Sequence, residues 1–359
     1  MLEPNPSIKK ILLTAEQLDH VSDIHLSGDK IPSFRINGDI VNQPELWEID
    51  PQYGHALLIE MLRDNDQRYK EFLGKKELDF SYISDSDTPY RVNAYFAMGQ
   101  VHIVLRKINQ DAWRLEEIMF HDVAESVKKN ILHRSKWLYM VTGPTGSWKS
   151  SSLVSMIQYI NQNRTENIIT IEDPIEFLFT PDKCLISQRE IGNDTLSFGR
   201  ALKYAMREDP DIILVGEIRD METAESVLQI TESWHVVFTT MHTPSSALTI
   251  NRFVSFFPVD TQAHIGDRLS EVLLGVQSQT LVKTKDNSQR IWVYEVMFNN
   301  TAIRNNIRVR DIPQINSIVE TSSENGMVSM ARYAERLYEN DIISQATFDR
   351  LADKSLGSL

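Results

Sequence analysis

The sequence predicts an α/β protein: a mainly parallel sheet carrying a phosphate-binding loop, preceded by a smaller α/β domain. Three observations predict it. The stretch Gly143-Pro-Thr-Gly-Ser-Trp-Lys149-Ser150 follows the apolar run Leu138–Val141 and precedes Leu153, Met156, Ile157 and Ile160, which fall at i, i+3, i+4 and i+7. That is the order strand, glycine loop, helix. Three further apolar runs, Ile168–Ile171, Ile212–Val215 and Val236–Thr239, alternate with helical segments at Phe198–Arg207 and Thr223–Thr231. Such alternation implies a largely parallel sheet with helices on both faces. In the N-terminal third, short strands instead alternate in polarity around a hairpin dipeptide, Asn37-Gly38.

Taken in order, a helix near Leu13–Val21 leads to a strand at Asp23–Leu26, and Ser33–Ile40 reads as two strands joined at Asn37-Gly38. Residues 51–73 carry helical periodicity through Leu57, Met61 and Leu62. Asp79–Tyr82, Arg91–Phe96 and Val101–Arg106 alternate as strands. This makes residues 1–106 one domain, 107–125 a linker and 126–359 the core domain. The end of the core domain, from about residue 300, is mainly helical, with segments at Met330–Tyr338 and Ser344–Leu351.

The loop is the richest element chemically. Backbone N–H groups of such a loop wrap phosphates, and the helix behind it aims its positive end at them. Lys149 would reach the β- and γ-phosphates and the Ser150 hydroxyl would hold Mg²⁺. The nucleotide-binding candidates are Gly143, Pro144, Thr145, Gly146, Ser147, Trp148, Lys149, Ser150 and Ser151. The pattern G-x-x-x-x-G-K-[ST] asks for glycine at 148, where no Cβ crowds the phosphates; this chain has tryptophan. A dead ATPase, a tolerated variant and a mistranslated glycine all remain open.

Other candidates sit at strand ends. Ile212–Val215 runs into Gly216-Glu217-Ile-Arg-Asp220, and an acid there holds Mg²⁺ and orients the attacking water in phosphate-loop proteins. Glu217 is the first choice. Ile171-Glu172-Asp173-Pro174-Ile-Glu176 places three carboxylates after another strand, where they could anchor the metal or its waters. His235 and His242 flank Val236–Thr239 and are candidates for sensing the γ-phosphate. Their spacing does not suit zinc.

Composition narrows the class. The chain has 359 residues, 42% hydrophobic and 24% charged, ordinary for a soluble globular protein. A net charge of −13 argues against a broad nucleic-acid-binding surface. The single cysteine, Cys184, excludes an internal disulfide framework and suits the cytosol. No apolar run approaches the length of a membrane span, and MLEPNPSIKK lacks a signal-peptide core. Glycine is scarce: 14 residues, about half the usual share.

These residues together resemble the secretion ATPases and, among them, the type IV pilus retraction ATPases. The resemblance covers nearly the whole chain. It includes Ser22–Leu26, Arg35–Asp39 and Arg91–Ala94 in the first domain. In the core it includes the phosphate loop, the acidic box Ile171–Phe177, Gln188–Glu190, Asp194–Phe198, Arg207–Asp211, the Walker B element Ile213–Asp220 and the histidine box through His235 and His242. Ala302-Ile-Arg-Asn-Asn-Ile307 is similar to the AIRNLI motif of retraction motors, with Asn306 in place of leucine, and Gly326-Met327 also matches. The four-cysteine zinc element of the assembly ATPases is absent, so retraction is favoured over extension.

The resemblance implies a PAS-like first domain, a RecA-like core, hexameric rings, and ATP with Mg²⁺. It implies that arginines of the first domain complete the nucleotide site; carried over, these are Arg91 and Arg106. The expected setting is cytoplasmic, at the inner face of the cytoplasmic membrane, on an inner-membrane platform protein and the pilin machinery, with a paralogous retraction ATPase as a further partner. A catalytically impaired subunit of a mixed ring and a type II or IV secretion motor are the rival readings. Set beside the family, Trp148, Trp234 and Trp137 all occupy glycine-like positions, three of six tryptophans. UGA codons meaning glycine and translated as tryptophan would explain this, and six such replacements would raise glycine from 14 to 20.

Overall fold

A computed structural model describes residues 6–28, 30–46, 53–108, 111–132, 137–322 and 326–352. The ends of the expected first and last segments, 1–5 and 353–359, and residues 109–110 of the expected linker lie outside the described residues. The chain divides into two compact units, and the division is not linear. Unit 1 comprises residues 1–110, 172–178 and 188–197; unit 2 comprises 111–171, 179–187 and 198–359.

Unit 1 contains α1 (Ile8–Glu16), β1 (Val21–Ser27), β2 (Ser33–Ile36), β3 (Asp39–Asn42), α2 (Tyr53–Met61), α3 (Asp66–Lys75), β4 (Glu77–Ile83), β5 (Pro89–Ala97) and β6 (Gln100–Lys107). The six strands form an antiparallel sheet in the order β3-β2-β1-β6-β5-β4. Burial alternates along β5 and β6, as expected when helices cover one face of a sheet. The covered face supplies Ile24, Val92, Ile103 and Leu105 to a core shared with Ile11, Leu57 and Phe72 of the helices.

Asn37 and Gly38 both have positive φ, 53° and 96°, the signature of the tight hairpin the dipeptide predicts. The first helix begins earlier than the expected Leu13–Val21. Ser7 caps it by accepting from Lys10 N, and Ile8, Ile11, Leu12 and Ala15 form its buried stripe. The periodic stretch 51–73 is two helices rather than one. Arg63 and Asp64 at positive φ break it, and Asn65 caps the second.

Unit 2 begins with α4 (Leu115–Ile118) and α5 (His121–Leu132), so the segment 107–125 carries helical structure. Next come β7 (Trp137–Thr142), α6 (Lys149–Asn163), β8 (Asn167–Glu172, its last residue counted in unit 1), β9 (Leu185–Glu190, its residues 188–190 counted in unit 1), α7 (Phe198–Ala205), β10 (Ile212–Val215), α8 (Met221–Glu232) and β11 (Val236–Met241). The unit closes with α9 (Ser246–Ser255), α10 (Gln262–Val272), β12 (Leu273–Lys283), β13 (Arg290–Phe298), α11 (Thr301–Val309), α12 (Ile312–Thr321), α13 (Met330–Glu339) and α14 (Gln345–Ala352).

The sheet order is β13-β12-β7-β11-β10-β8-β9, with β12, β7, β11, β10 and β8 parallel and β13 antiparallel to β12. Every residue of β7, β10 and β11 is buried, because such strands are covered on both faces. This is the mainly parallel α/β architecture expected. Among the described residues, no helix is long and apolar enough to cross a membrane.

Candidate functional site

In a parallel sheet all the strand C-termini lie on one edge, and the loops leaving that edge converge. In unit 2 these are the loops after β7, β10 and β11, which carry the phosphate loop, Glu217 and His242. Gly143 has φ 148° and Gly146 φ 77°. A Cβ on Gly143 would come within 2.2 Å of the Gln279 carbonyl oxygen and 2.7 Å of Ser147 Oγ, so only glycine fits there. The α6 helix starts at Lys149, with Trp148 as its left-handed N-cap. Its open N-terminus is the anion-facing end.

Lys149 is nearly buried. Its Nζ donates to the carbonyls of Gly143 (3.0 Å) and Pro144 (3.1 Å), and lies 3.4 Å from His242 Nδ1. On the other side of the imidazole, His242 Nε2 lies 3.6 Å from Glu217 Oε2. The Glu217 Oε1 atom is paired with Arg219. His242 therefore bridges an ammonium and a carboxylate. Burial pushes its pKa below the usual value, the Lys149 charge adds to this, and Glu217 opposes it.

Glu217 is placed by ties between three strand ends. Gly216 N donates to Ile171 O at 2.8 Å, Ile218 N to Thr240 O at 3.0 Å, and Thr240 Oγ1 to Gly216 O at 2.6 Å. Asp220 then caps α8 by accepting from Thr223 N at 2.8 Å. Two buried polar atoms of this region, Ser147 Oγ and Glu217 Oε2, have no hydrogen-bond partner. Orphaned oxygens beside such a loop fit a bound polar group. With the Ser150 hydroxyl in the first turn of α6, the residues present suit a hard cation such as Mg²⁺.

The two histidines sit at opposite ends of β11. At about 3.3 Å per residue, the seven steps from 235 to 242 set them roughly 23 Å apart. His242 is at the phosphate-loop end. His235 is at the far end, where its Nδ1 lies 3.1 Å from the carbonyl oxygen of Ile230 in α8. Flanking a strand in sequence placed them together only on paper.

The acidic box and the arginine candidates belong to unit 1. Arg91 pairs with Glu176 at 2.8 Å, and Glu172 Oε1 accepts from Gln188 Nε2 at 3.3 Å. Asp173 precedes a cis proline. Arg106 Nε donates to Asp23 Oδ1 at 2.7 Å. Burial raises the Asp23 pKa, but hydrogen bonds from Arg106 and Ser22 outweigh it and hold the carboxyl below its usual range.

The tryptophans divide. Trp148 (φ 59°) and Trp234 (φ 71°) lie in the left-handed region, which costs an ordinary side chain about 1–2 kcal/mol. The Trp148 indole is drawn onto β13, with its centroid 5.0 Å from that of Trp292 and the Arg290 guanidinium 5.3 Å from the ring. Trp137 is different: it is fully buried in β7, edge-on to Phe238 at 4.9 Å. Its place in the core does not ask for glycine.

Sequence reasoning missed Gln277, Ser278 and Gln279, a buried polar row in β12 beneath the loop. The signal in the sequence is faint: four polar residues together in the run Gly275-Val-Gln-Ser-Gln-Thr-Leu-Val282, between hydrophobic neighbours.

Comparison with known proteins matches residues 76–342 to the family model for type II/IV secretion system proteins. The chain is 39% identical to the type IV pilus retraction ATPase PilT of Pseudomonas aeruginosa over 93% of its length and 95% of that protein's. It is also 39% identical to a twitching motility protein of Neisseria gonorrhoeae, over 90% of its length and 85% of that protein's. A crystal structure of the pilus retraction motor PilT with bound ADP superposes with a TM-score of 0.85 at 35% identity, covering 97% of both chains. A family model spanning most of the chain, and relatives aligned almost end to end, place this chain in the type II/IV secretion system family, within its type IV pilus retraction ATPases.

Proposed function

We propose that this chain is an ATP-hydrolysing motor, assembled as a homo-hexameric ring, that powers type IV pilus retraction and so twitching motility. The observation that carries the reading is the row Lys149–His242–Glu217 at the C-terminal edge of the parallel sheet, beside the phosphate loop. Lys149 holds the phosphate oxygens and gives up its two loop carbonyls to do so. The neutral imidazole of His242 stands between the phosphate-binding cation and the carboxylate that orients water. Glu217 orients that water and takes part of its proton's charge. Ser150 and Glu217 would hold Mg²⁺, which supplies charge neutralisation for the phosphates. Glu172, Asp173 and Glu176 assist from the acidic box, and Arg91 or Arg106 stabilises the transition-state charge. The ring works in the cytoplasm against an inner-membrane platform protein and the pilin machinery, with a paralogous retraction ATPase as a further partner.

The left-handed Trp148 favours a second reading, a subunit of a mixed ring that hydrolyses poorly with tryptophan at this position. The same observation supports glycine as the residue the gene specifies, through a UGA codon at 148. A UGG codon there would end that idea.

One assay separates these. Phosphate release from Mg-ATP is measured for the chain as it stands, for Trp148→Gly, and for Lys149→Ala in each background. Trp148→Gly is expected to raise turnover about tenfold or more, the equivalent of relieving roughly 1–2 kcal/mol of strain and crowding. Lys149→Ala is expected to lower it by at least about 10²-fold. Undiminished turnover in Lys149→Ala, or no nucleotide binding even in Trp148→Gly, refutes the motor.

A further inference from the structure

We infer that Gln279 is a positioning residue for the phosphate loop, gripping it at both ends and setting its shape before nucleotide arrives. The inference deepens the motor reading and rests on it for its use. Gln279 lies in β12 and is 1% exposed. Its backbone carbonyl is the surface over which Gly143 passes at glycine distance. Its side-chain Nε2 donates to Ser147 O at 2.7 Å. One residue thus touches the first and the last turn of the loop.

The amide is itself held. Gln277 Nε2 donates to Gln279 Oε1 at 3.2 Å, and the Tyr139 hydroxyl donates to Gln277 Oε1 at 3.4 Å. This buried chain leaves the Gln279 donor nowhere to point but the loop. Thr142 Oγ1 and Ser278 Oγ, 2.7 Å apart, anchor the residue before Gly143 in the same way.

The consequence follows from peptide geometry. In a trans peptide the C=O and N–H point in opposite directions. Drawing Ser147 O onto β12 turns the Trp148 N–H away from β12, as a donor for an anion. The same peptide plane precedes the left-handed residue, so the grip also holds the backbone in that conformation.

Hydrogen exchange in the nucleotide-free full-length protein tests this directly. Gln279→Met keeps the volume and removes the donor. Exchange at the loop amide of Ser147, which donates to Pro144 O at 3.2 Å, is expected to quicken about tenfold. Gln277→Met, a milder change, should quicken it less. Ile315→Ala, fully buried in α12 where that helix packs on α9 and α11, should lower the melting temperature without altering loop exchange. In the Trp148→Gly background, Gln279→Met should weaken ADP binding about tenfold and leave adenosine binding unchanged. Loop exchange that is the same in Gln279→Met as in the parent, or equally quickened in Ile315→Ala, overturns the inference. A Trp148→Gly protein that binds no nucleotide sinks the motor reading alone, because the exchange result still judges Gln279.

Discussion

At the scale of single residues, charge placement decides more than residue type. His242 is held neutral by burial and by the Lys149 ammonium, with Glu217 pulling the other way. Its folded pKa lies below the unfolded value of 6.5. The sign is therefore that of a group that resists protonation: the stability of the neutral site is fully present above pH 6.5 and is lost as pH falls through the folded value. We expect the imidazole to titrate below 6.5 by NMR, and Lys149→Ala to move that titration upward by removing a neighbouring positive charge. A titration at or above 6.5 in the parent, or no movement in the variant, would contradict the arrangement. The same scale shows why His235 and His242 were grouped: their positions in the sequence say that they flank a strand, and only strand direction says which end meets the ligand.

At the scale of elements, the apolar runs were legible because strands covered on both faces must be hydrophobic throughout. The elements β7, β8, β10 and β11 each appear close to their expected bounds. The β12–β13 hairpin was not legible, because Gln277, Ser278 and Gln279 interrupt its hydrophobic run. Those polar groups are tolerated only because each finds a partner beneath the loop. Helix α8 shows how an element carries the site. Asp220, three residues after Glu217, caps it, so the cap fixes where the acidic loop ends. Asp220→Ala should cost about 1 kcal/mol in a denaturant melt, within the range for lost N-caps. It should also lower turnover without moving nucleotide affinity. A full-stability, full-activity variant would show that the cap does not set the Glu217 loop.

At the scale of the molecule, the surprise is the division of the chain. Glu190, far along in sequence, belongs to unit 1 and is buried there. Its carboxylate accepts from Ser81 N at 3.0 and 3.1 Å and from Ile175 N at 3.1 Å. A fragment of residues 1–110 therefore lacks part of its own unit. Its Ser81 amide should exchange freely, whereas the full chain protects it, and its melting should be less cooperative. Equal protection in the fragment would show that the later segments are dispensable.

The sequence by itself determined the phosphate loop, the acidic strand end, the parallel architecture and the family. Each is written in local spacing, and local spacing survives in one dimension. Tertiary structure alone decided that Lys149, His242 and Glu217 form one row, that Gln279 grips the loop, and that two later segments complete the first unit. Those facts depend on strand order and direction, which set Gly143 so near the carbonyl of Gln279, 136 positions on, that a Cβ there would clash. The tryptophans fall on both sides of this line. Their glycine-like spacing was visible in the sequence, but only backbone dihedrals separate Trp148 and Trp234, strained by the presence of a Cβ, from Trp137, which the core accepts.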